Sequence, residues 1–313
     1  MKELLFLQPT FQERIWGGRA LETQFNYDIP AGAIGECWGI SAHANGQSIV
    51  KNGPYSGQTL GAVYQVADEI FGANRSEIFP LLVKILDANA DLSVQVHPDD
   101  GYAAVHEAGE LGKTECWYVL DAQPDAKIIF GHHAQSLEEM KQMIEADDWE
   151  GLLRVVPVKK GDFFYVPSGT IHALCAGTLI LEVQQSSDTT YRLYDYHRLD
   201  DAGNLRELHI EKSLAVSTIP HTQDDEETVV LHVDEQMKVM RLVGNGFFTV
   251  YRYDVITKGR LLHDLDKYAL VSVVSGAGVF AGQAVKKGDH FIVPVDFGEA
   301  HFEGTFEMIV AHI

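Results

Sequence analysis

Cysteine is scarce in this sequence, and long apolar runs are missing. The 313 residues include three cysteines, an odd number without a recurring spacing, which favours reduced cytosolic thiols over a disulfide framework. Residues 4–7 form too short an apolar run for a signal-peptide core. Residues 269–282, the longest weakly polar stretch, are interrupted by Ser and Gly and do not predict a membrane span. The sequence therefore predicts a cytoplasmic protein with no membrane partner.

Positive charge is also in short supply. Lys and Arg number 24 against 45 Asp and Glu, which gives a formal net charge of −21 at pH 7. Such an acidic chain argues against nucleic acid or an anionic membrane as a partner. A phosphorylated ligand would be repelled by the chain as a whole, so it would need a local cluster of Arg and Lys. With 46% hydrophobic and 22% charged residues, the composition is that of a globular protein with one large or two modest domains.

An unusual strand is predicted within residues 92–100. Successive side chains of a strand point to opposite faces, so Gln95 and His97 share one face while Val94 and Val96 share the other. Valines are suited to packing against a core. A glutamine and a histidine side by side on the opposite face indicate a polar site.

Two later segments carry the same kind of pattern. Lys113, Glu115 and Trp117 share one face of a predicted strand, whereas Cys116 faces the other way and is expected to be a small core residue. Further along, a turn at Gly161 leads into an apolar strand that ends at Pro-Ser-Gly. His172 follows just beyond it.

The polar side chains of these segments form a borderline-hard set of nitrogen and oxygen donors. Zinc and other first-row divalent ions accept such a set readily. A single strand histidine is more often a hydrogen-bonded core or edge residue than a ligand, so on chemistry alone both interpretations stay open. The candidate ligands are Gln95, His97, Glu115 and His172.

The spacing of these residues resembles the cupin motifs. The later segment is similar to the second motif, and the earlier residues resemble the first, with Gln replacing a histidine and a long insertion before the Glu. These motifs read Gly161-x5-Pro167-x-Gly169-x2-His172 and Gln95-x-His97 followed by Glu115. This variant resembles the type I mannose-6-phosphate isomerases, short bacterial form. Further stretches similar to that family, spread over nearly the whole chain, are Trp16-Gly17-Gly18, Gly35-Glu36-Cys37-Trp38 and Tyr191-Arg192-Leu193-Tyr194-Asp195-Tyr196.

The resemblance implies a mainly β fold with added helices, made of two cupin-like jelly-roll β-barrels. A weak internal repeat supports a second barrel, because residues 158–167 recur as residues 285–294. The second copy lacks the ligand pattern, so its barrel is expected to be smaller and to lack a metal site. The acidic stretch 220–227 suggests a linker. It would divide the chain into a catalytic cupin domain with helical insertions at 1–222 and a degenerate cupin-like domain at 223–313.

The resemblance also implies an activity, the reversible conversion of mannose 6-phosphate to fructose 6-phosphate through a cis-enediol. One Zn²⁺ per chain would be held by the four candidate ligands. A cysteine-free set with one weak amide ligand suits an open, catalytic site and not a closed structural one.

Three further residues are candidates for the chemistry. Arg192 is permanently charged and can stabilise an enediolate through a forked hydrogen bond, and it is expected to share a strand face with Tyr194 and Tyr196. Lys113 shares the inward face with the Glu ligand, where a metal and burial would lower its pKa toward that of a usable base. A plain salt bridge with that Glu is the alternative. By the resemblance, Asp188 matches a carboxylate that assists ring opening, and an ordinary turn residue is the alternative.

The expected partner is a phosphorylated hexose. An Fe(II) cupin dioxygenase and a non-catalytic sugar-binding cupin are the alternative functions. Inward Arg and Lys side chains favour an anionic substrate. No region of this sequence is basic enough to be the DNA-binding helical domain that sugar-sensing cupins usually carry. A monomer and a homodimer both remain open. The candidate phosphate anchors, among which the sequence does not choose, are Arg14, Arg19, Lys113, Arg192 and Arg198.

Local patterns predict several other features. The segment at Trp16 predicts a turn, and Lys84 is unusual within the apolar strand 80–86, where it would reach a barrel end or extend to solvent. His290 and His301 of the second copy are expected to be structural. Helices are predicted at 58–73, 99–109, 136–153 and 209–217, the third with a capping box at Ser136 and Glu139.

Overall fold

The computed structural model describes residues 2–199, 203–222, 227–262 and 266–313. Strands account for 44% of the chain and helices for 16%, so the predicted mainly β class with added helices is confirmed. Among the described residues, no helix combines the length and apolarity needed to cross a membrane.

The strands of the described residues are numbered in chain order. They are β1 (Leu5–Gln8), β2 (Thr10–Gly18), β3 (Ile34–Ile40), β4 (Ala42–His43), β5 (Gly46–Gln47), β6 (Ile49–Val50), β7 (Leu81–Ala88), β8 (Val94–Val96), β9 (Glu115–Ala122), β10 (Lys127–His132), β11 (Leu153–Pro157), β12 (Phe163–Val166), β13 (His172–Leu174), β14 (Thr178–Gln185), β15 (Tyr191–Tyr194), β16 (Val229–Val233), β17 (Met237–Gly244), β18 (Thr249–Val255), β19 (Lys258–Arg260), β20 (Ala269–Phe280), β21 (Gln283–Lys286), β22 (His290–Val293) and β23 (His301–His312).

The helices of the same residues are short. They are α1 (Ala20–Phe25), α2 (Leu60–Val66), α3 (Asp68–Phe71), α4 (Asp100–His106), α5 (Leu137–Glu145), α6 (Trp149–Leu152) and α7 (Ile210–Val216), with one 3₁₀ turn at Gly53–Tyr55.

Two antiparallel sheets built from the first two thirds of the chain face each other across an apolar cluster. One sheet has the strand order β12-β9-β14-β7-β3-β2 and the other β11-β10-β13-β8-β15. Alternate residues of the strands point into the space between the sheets, which explains why both sheets contribute to one cluster. Its members include Leu86, Trp117, Val119 and Ile180 from the first sheet and Ile128, Phe130 and Leu174 from the second.

A third sheet of ten strands is built mostly from the C-terminal part of the chain. Its main order is β16-β17-β18-β23-β20-β22-β1-β6, so two N-terminal strands complete its edge. Leu7 of β1 lies opposite His290 of β22 and opposite Val50 of β6. The predicted boundary at 222/223 adjoins residues 223–226, which lie outside the described residues, and the division at 1–222 and 223–313 stays a prediction. Residues 5–8 and 49–50 nevertheless belong to the sheet of the C-terminal strands.

The internal repeat has a structural counterpart in two matching turns. The amide of Lys159 donates to a carboxylate oxygen of Asp162 at 2.9 Å, and the amide of Lys286 donates to that of Asp289 at 2.8 Å. Each turn leads into a strand, β12 in the first copy and β22 in the second. The repeated sequence therefore forms the same local structure twice.

The four predicted helices are present, but two are shorter or divided. The segment predicted at 58–73 forms α2 and α3, which meet at Ala67. The hydroxyl of Ser136 accepts from the Glu139 amide at 3.1 Å, as a capping box requires. The Glu139 carboxylate, however, accepts from the amide of Gln135 and not from that of Ser136. This helix ends at Glu145, and α6 follows as a separate turn, so the prediction of one helix over 136–153 was too long.

The predicted turn at Trp16 is wrong. Trp16, Gly17 and Gly18 continue β2 to its end. Gly17 lies so close to β3 that an added Cβ would stand 2.4 Å from the backbone nitrogen of Gly35. Glycine is therefore required by the close approach of two strands and does not mark a turn.

The three cysteines are free, as predicted, and all three are buried, which was predicted only for Cys116. Cys116 packs in the largest apolar cluster, on the face of β9 opposite Glu115. That cluster also contains residues of the third sheet, such as Leu270 and Ile309, and so joins it to the first two sheets.

Candidate metal centre and cavity

Three of the four predicted ligands converge between the two facing sheets. Among the described residues, His97, Glu115 and His172 form the group of metal-ligating side chains in which one atom from each lies within 4.8 Å of the others. His97 Nε2 lies 3.4 Å from one carboxylate oxygen of Glu115, and His172 Nε2 lies 3.4 Å from the other. All three side chains are buried, with at most 1% of each exposed.

The hydrogen bonds of the two imidazoles fix which ring nitrogen is free. His97 Nδ1 lies 2.9 Å from the carbonyl oxygen of Thr189, and His172 Nδ1 lies 2.8 Å from that of Thr170. A carbonyl oxygen only accepts, so each Nδ1 carries the hydrogen and each Nε2 is left with a lone pair. Both lone pairs face Glu115. Backbone carbonyls behind ligating histidines are the usual way of orienting such ligands.

Gln95 is the fourth predicted ligand and lies beside His172. Its Nε2 is 3.3 Å from His172 Nε2, and the residue lies opposite His172 in the pairing of β8 with β13. The oxygen and nitrogen of a side-chain amide are assigned from their surroundings, and turning the amide over would place its oxygen toward the same point. The structure therefore brings all four predicted side chains to one place.

The predicted alternation of faces is confirmed around this group. Val94 and Val96 are fully buried in an apolar cluster on the outer face of their sheet, away from Gln95. The Trp117 indole donates to Glu115 at 3.0 Å and to Glu182 at 3.1 Å. One N–H thus holds two carboxylates on the inward face.

Burial sets the protonation of the two histidines. Burial, together with the charge of the neighbouring Lys113, lowers the pKa of His97 to about 3. Burial also lowers the pKa of His172. For Glu115, burial would raise the pKa, but the charge of the neighbouring Lys113 outweighs burial and lowers the pKa well below its usual value. Neutral imidazoles and an ionised carboxylate are the forms that bind a divalent cation.

A cavity of about 360 Å³ opens beside the four side chains. Five of its lining residues are cationic and three are carboxylates, a local excess of positive charge in a chain whose net charge is −21. This is the local cluster that an anionic ligand needs. Its lining consists of Arg14, Trp16, Glu36, Lys84, Leu86, Leu92, Ser93, Gln95, Lys113, Glu182, Asp188, Thr190, Arg192 and Arg206.

Lys113 lies on the cavity wall and forms the salt bridge that was the alternative to a catalytic role. Its Nζ is 2.8 Å from Glu115 and 3.1 Å from His97 Nε2. Burial would lower the pKa of Lys113, but the charges of Glu115 and Glu182 outweigh burial and raise it. Two buried carboxylates thus surround the ammonium group, and the lowering expected beside a bound metal stays a prediction.

Asp188 lies in the cavity and not in an exposed turn. Its carboxylate accepts from the side-chain amide of Asn45 at 2.8 Å. Burial would raise the pKa of Asp188, but the charge of Lys84 and the Asn45 hydrogen bond outweigh it and lower the pKa. The carboxylate is therefore ionised where it faces the cavity.

Arg192 also lines the cavity, but the predicted tyrosine face is wrong. The pairing of β15 with β8 shifts register between Arg192 and Tyr194. Because of this bulge, Tyr194 stacks on Trp149 at 4.2 Å outside the cavity, and Tyr196 packs against the same outer cluster. The Arg192 guanidinium donates to the carbonyl oxygen of Glu207 at 2.7 Å, which holds it in place.

Three cavity residues were not among the site residues predicted from the sequence. Lys84 does not extend to solvent: it is 4% exposed, its Nζ lies 3.7 Å from Glu182, and it stands 4.9 Å from the centre of the Trp38 ring. Burial and the Glu115 charge raise the pKa of Glu182 to about 7. Arg206 lines the cavity from an irregular segment and reaches the Ser93 hydroxyl at 3.4 Å.

The candidate phosphate anchors separate into two groups. Arg14 lines the cavity, where its Nε lies 2.8 Å from Glu36. Arg19 and Arg198 are not among the lining residues: the first pairs with Glu22 and the second with Asp195. Lys113 and Arg192 belong to the lining, as described above.

Comparison with known proteins agrees with this geometry. Residues 4–120 match the family model for the catalytic domain of type I phosphomannose isomerase, and residues 238–313 match the model for the cupin domain of mannose-6-phosphate isomerase. The chain is 52% identical to the probable mannose-6-phosphate isomerase GmuF of Bacillus subtilis, over 100% of both chains. It is 51% identical to the mannose-6-phosphate isomerase of Streptococcus mutans, over 100% of this chain and 99% of that one. The crystal structure of the mannose 6-phosphate isomerase from Bacillus subtilis superposes with a TM-score of 0.96 at 46% identity, over 100% of both chains.

Proposed function

The chain belongs to the type I mannose-6-phosphate isomerases and is an aldose–ketose isomerase, and from this premise we propose how its own residues carry the reaction. We propose that it interconverts mannose 6-phosphate and fructose 6-phosphate through a cis-enediol, with one zinc ion per chain. The observation that carries the proposal is the convergence of two imidazole lone pairs on a buried carboxylate, at the wall of a cavity with a local excess of positive charge.

Gln95, His97, Glu115 and His172 would hold the metal. The donor set fits a zinc ion, because two neutral imidazoles, one carboxylate and one amide oxygen leave a coordination position open for substrate. When bound, the ion would polarise the oxygens on the two reacting carbons as a Lewis acid. The two Nδ1–H groups remain bonded to backbone carbonyls, so binding requires no change of tautomer.

The isomerisation moves a proton between neighbouring carbons, and two groups of the cavity are placed to carry it. We assign this step to the Nζ of Lys113, on the wall beside Glu115. Any cation bound at Glu115 would weaken the attraction that raises the pKa of Lys113, and burial would then lower it. Glu182, whose pKa is about 7, is the competing carrier in the same cavity. Substituting Lys113 and Glu182 one at a time distinguishes the two proposed proton carriers.

Arg192 and Asp188 take the roles expected for them. The Arg192 guanidinium is held at the cavity wall by Glu207 and can donate to oxygens on which negative charge develops. Asp188 is ionised and held by Asn45, so its carboxylate can accept the proton of a sugar hydroxyl when the ring opens.

Arg206 is proposed as the phosphate anchor. Ser93 precedes Gln95 by two residues on extended chain, so the two lie about 7 Å apart along the strand direction. An open-chain hexose 6-phosphate separates its carbonyl end from its phosphate by a comparable distance. Arg206 reaches the Ser93 hydroxyl at 3.4 Å and lines the same cavity. A substrate whose carbonyl end lies near Gln95 would therefore place its phosphate beside this guanidinium, which suits phosphate as a forked donor.

The test is turnover of mannose 6-phosphate in a coupled assay, before and after removal of metal by a chelator and after add-back of zinc. We expect the activity to disappear with the metal and to return with it, together with one equivalent of bound metal per chain. Full activity of the chelated, metal-free protein would refute the proposed centre. Oxygen consumption in place of turnover would point to the dioxygenase alternative.

A further inference from the structure

His290 is a buried polar side chain of the third sheet, and it contacts β3 of the first sheet. It opens β22 and is 1% exposed. In the internal repeat it stands where the first copy has Phe163. Its ring lies flat against Gly39 of β3, where an added Cβ would be 2.4 Å from the ring. Glycine at position 39 and the ring at position 290 therefore fit each other.

The hydrogen bonds of His290 fix its tautomer. The Tyr27 hydroxyl donates to the carbonyl oxygen of Gly288 at 2.8 Å, so it must accept from His290 Nε2, 3.0 Å away. His290 Nδ1 is then free to accept from the Ser272 hydroxyl, at 2.8 Å. Both ring nitrogens are thus satisfied by a neutral imidazole, and the ring has one orientation.

The strand that His290 presses on carries part of the cavity wall. The pairing of β3 with β7 shifts register between Trp38 and Ile40, so Gly39 is the extra residue of a bulge. The Trp38 indole, on one side of this bulge, donates to Glu36 at 2.6 Å and lies under the ammonium group of Lys84. Glu36 and Lys84 both line the cavity.

We propose that His290 is a positioning residue for the isomerase reaction: it holds the Gly39 bulge of β3 and so sets the orientation of Trp38 and, through it, of Lys84 at the cavity wall. The C-terminal sheet would then take part in the reaction through one buried side chain. The kinetic part of this inference rests on the proposed function, whereas the structural part does not.

The experiment compares His290→Phe, which installs the residue of the first repeat and removes both hydrogen bonds, with His290→Gln, which keeps a donor and an acceptor. The matched control is His301→Phe, at an exposed histidine of the same sheet that pairs with Glu299. Labelling the four tryptophan indoles with ¹⁵N gives a direct readout of Trp38, whose signal is identified by its loss in Trp38→Phe.

We expect His290→Phe to shift the Trp38 signal, leave the metal content unchanged and raise KM about tenfold, with a near-normal value restored in His290→Gln. A merely structural role would lower the amount of active protein and leave KM unchanged. A folded His290→Phe variant with normal KM and an unmoved Trp38 signal would overturn the proposal. Should that variant fail to fold, Ser272→Ala combined with Tyr27→Phe removes both hydrogen bonds to the ring, and an unmoved Trp38 signal there would overturn the proposal equally. If the wild-type protein did not turn over mannose 6-phosphate, the proposed function would fail, while the Trp38 signal would still decide whether His290 holds the bulge.

Discussion

Replacing Arg206 by alanine is expected to weaken binding of the phosphorylated substrate without slowing its conversion. Arg206 lines the cavity and pairs through Nε with Asp195 at 3.0 Å. Hydrogen bonds from a charged donor contribute about 1.5–3 kcal/mol, which corresponds to a rise in KM of about ten- to hundredfold. Because the phosphate lies away from the reacting carbons, kcat should stay within about threefold of the wild-type value.

Arg198→Ala provides a matched control. Arg198 pairs with the same carboxylate, Asp195, from the other side, but it is not among the lining residues of the cavity. Both substitutions leave Asp195 with one remaining arginine, so their costs in stability should be similar. Only Arg206→Ala should raise KM.

The assay measures kcat and KM for mannose 6-phosphate in both variants and, separately, inhibition by inorganic phosphate. Arg206→Ala should weaken that inhibition by a factor similar to its effect on KM, because phosphate alone carries the group that Arg206 is proposed to bind. An unchanged KM in Arg206→Ala, or an equal rise in Arg198→Ala, would show that the phosphate lies elsewhere.

Three further predictions concern other parts of the molecule. His97→Ala should lose stoichiometric metal and activity while keeping the fold, which metal analysis and circular dichroism would check; full activity would exclude His97 as a ligand. Arg192→Ala should retain metal yet lose about a hundredfold or more in kcat, as for removal of a donor to developing charge, and normal kinetics would remove it from the mechanism. Burial lowers the pKa of His290 to about 4 from 6.5, with Lys51 and the hydrogen-bonded Tyr27 as its titratable neighbours. The unfolded state therefore takes up a proton first as the pH falls. The free energy of unfolding of the wild type should therefore drop by about 3 kcal/mol relative to His290→Gln between pH 6.5 and 4, measured by urea unfolding, and parallel pH profiles would contradict a buried neutral ring.

The candidate metal centre could be predicted from sequence because the signals for it lie in short stretches of the chain. Alternation places Gln95 and His97 on one face of their strand, and it places Glu115 and Trp117 on one face of a second strand. No knowledge of tertiary contacts is needed for either assignment. His172 follows just beyond a short apolar strand, and the family resemblance supported its place in the set. The roles of these residues stay proposals, as do the cytoplasmic location, the assembly state and the absence of a metal site in the C-terminal half.

The rest of the cavity depends on contacts between distant segments. Lys84 and Glu182 each stand between apolar neighbours in a strand, and they lie opposite each other in the pairing of β7 with β14. A buried charge needs a partner, so the two could have been matched had the strand pairing been known. Arg206 carries no such signal, because it lies in irregular chain without periodicity. The bulge that turns Tyr194 away from Arg192 is likewise set by tertiary packing and not by the residues around it.

The pairing of Leu7 with His290 has a consequence for biosynthesis. β1 and β6 are synthesised early, but β22, which pairs with β1, is synthesised only near the end of translation. Until then the nascent chain carries an unsatisfied strand edge, and closing so long a loop is slow. Premature termination before β22 would therefore leave an aggregation-prone product and not a smaller working enzyme.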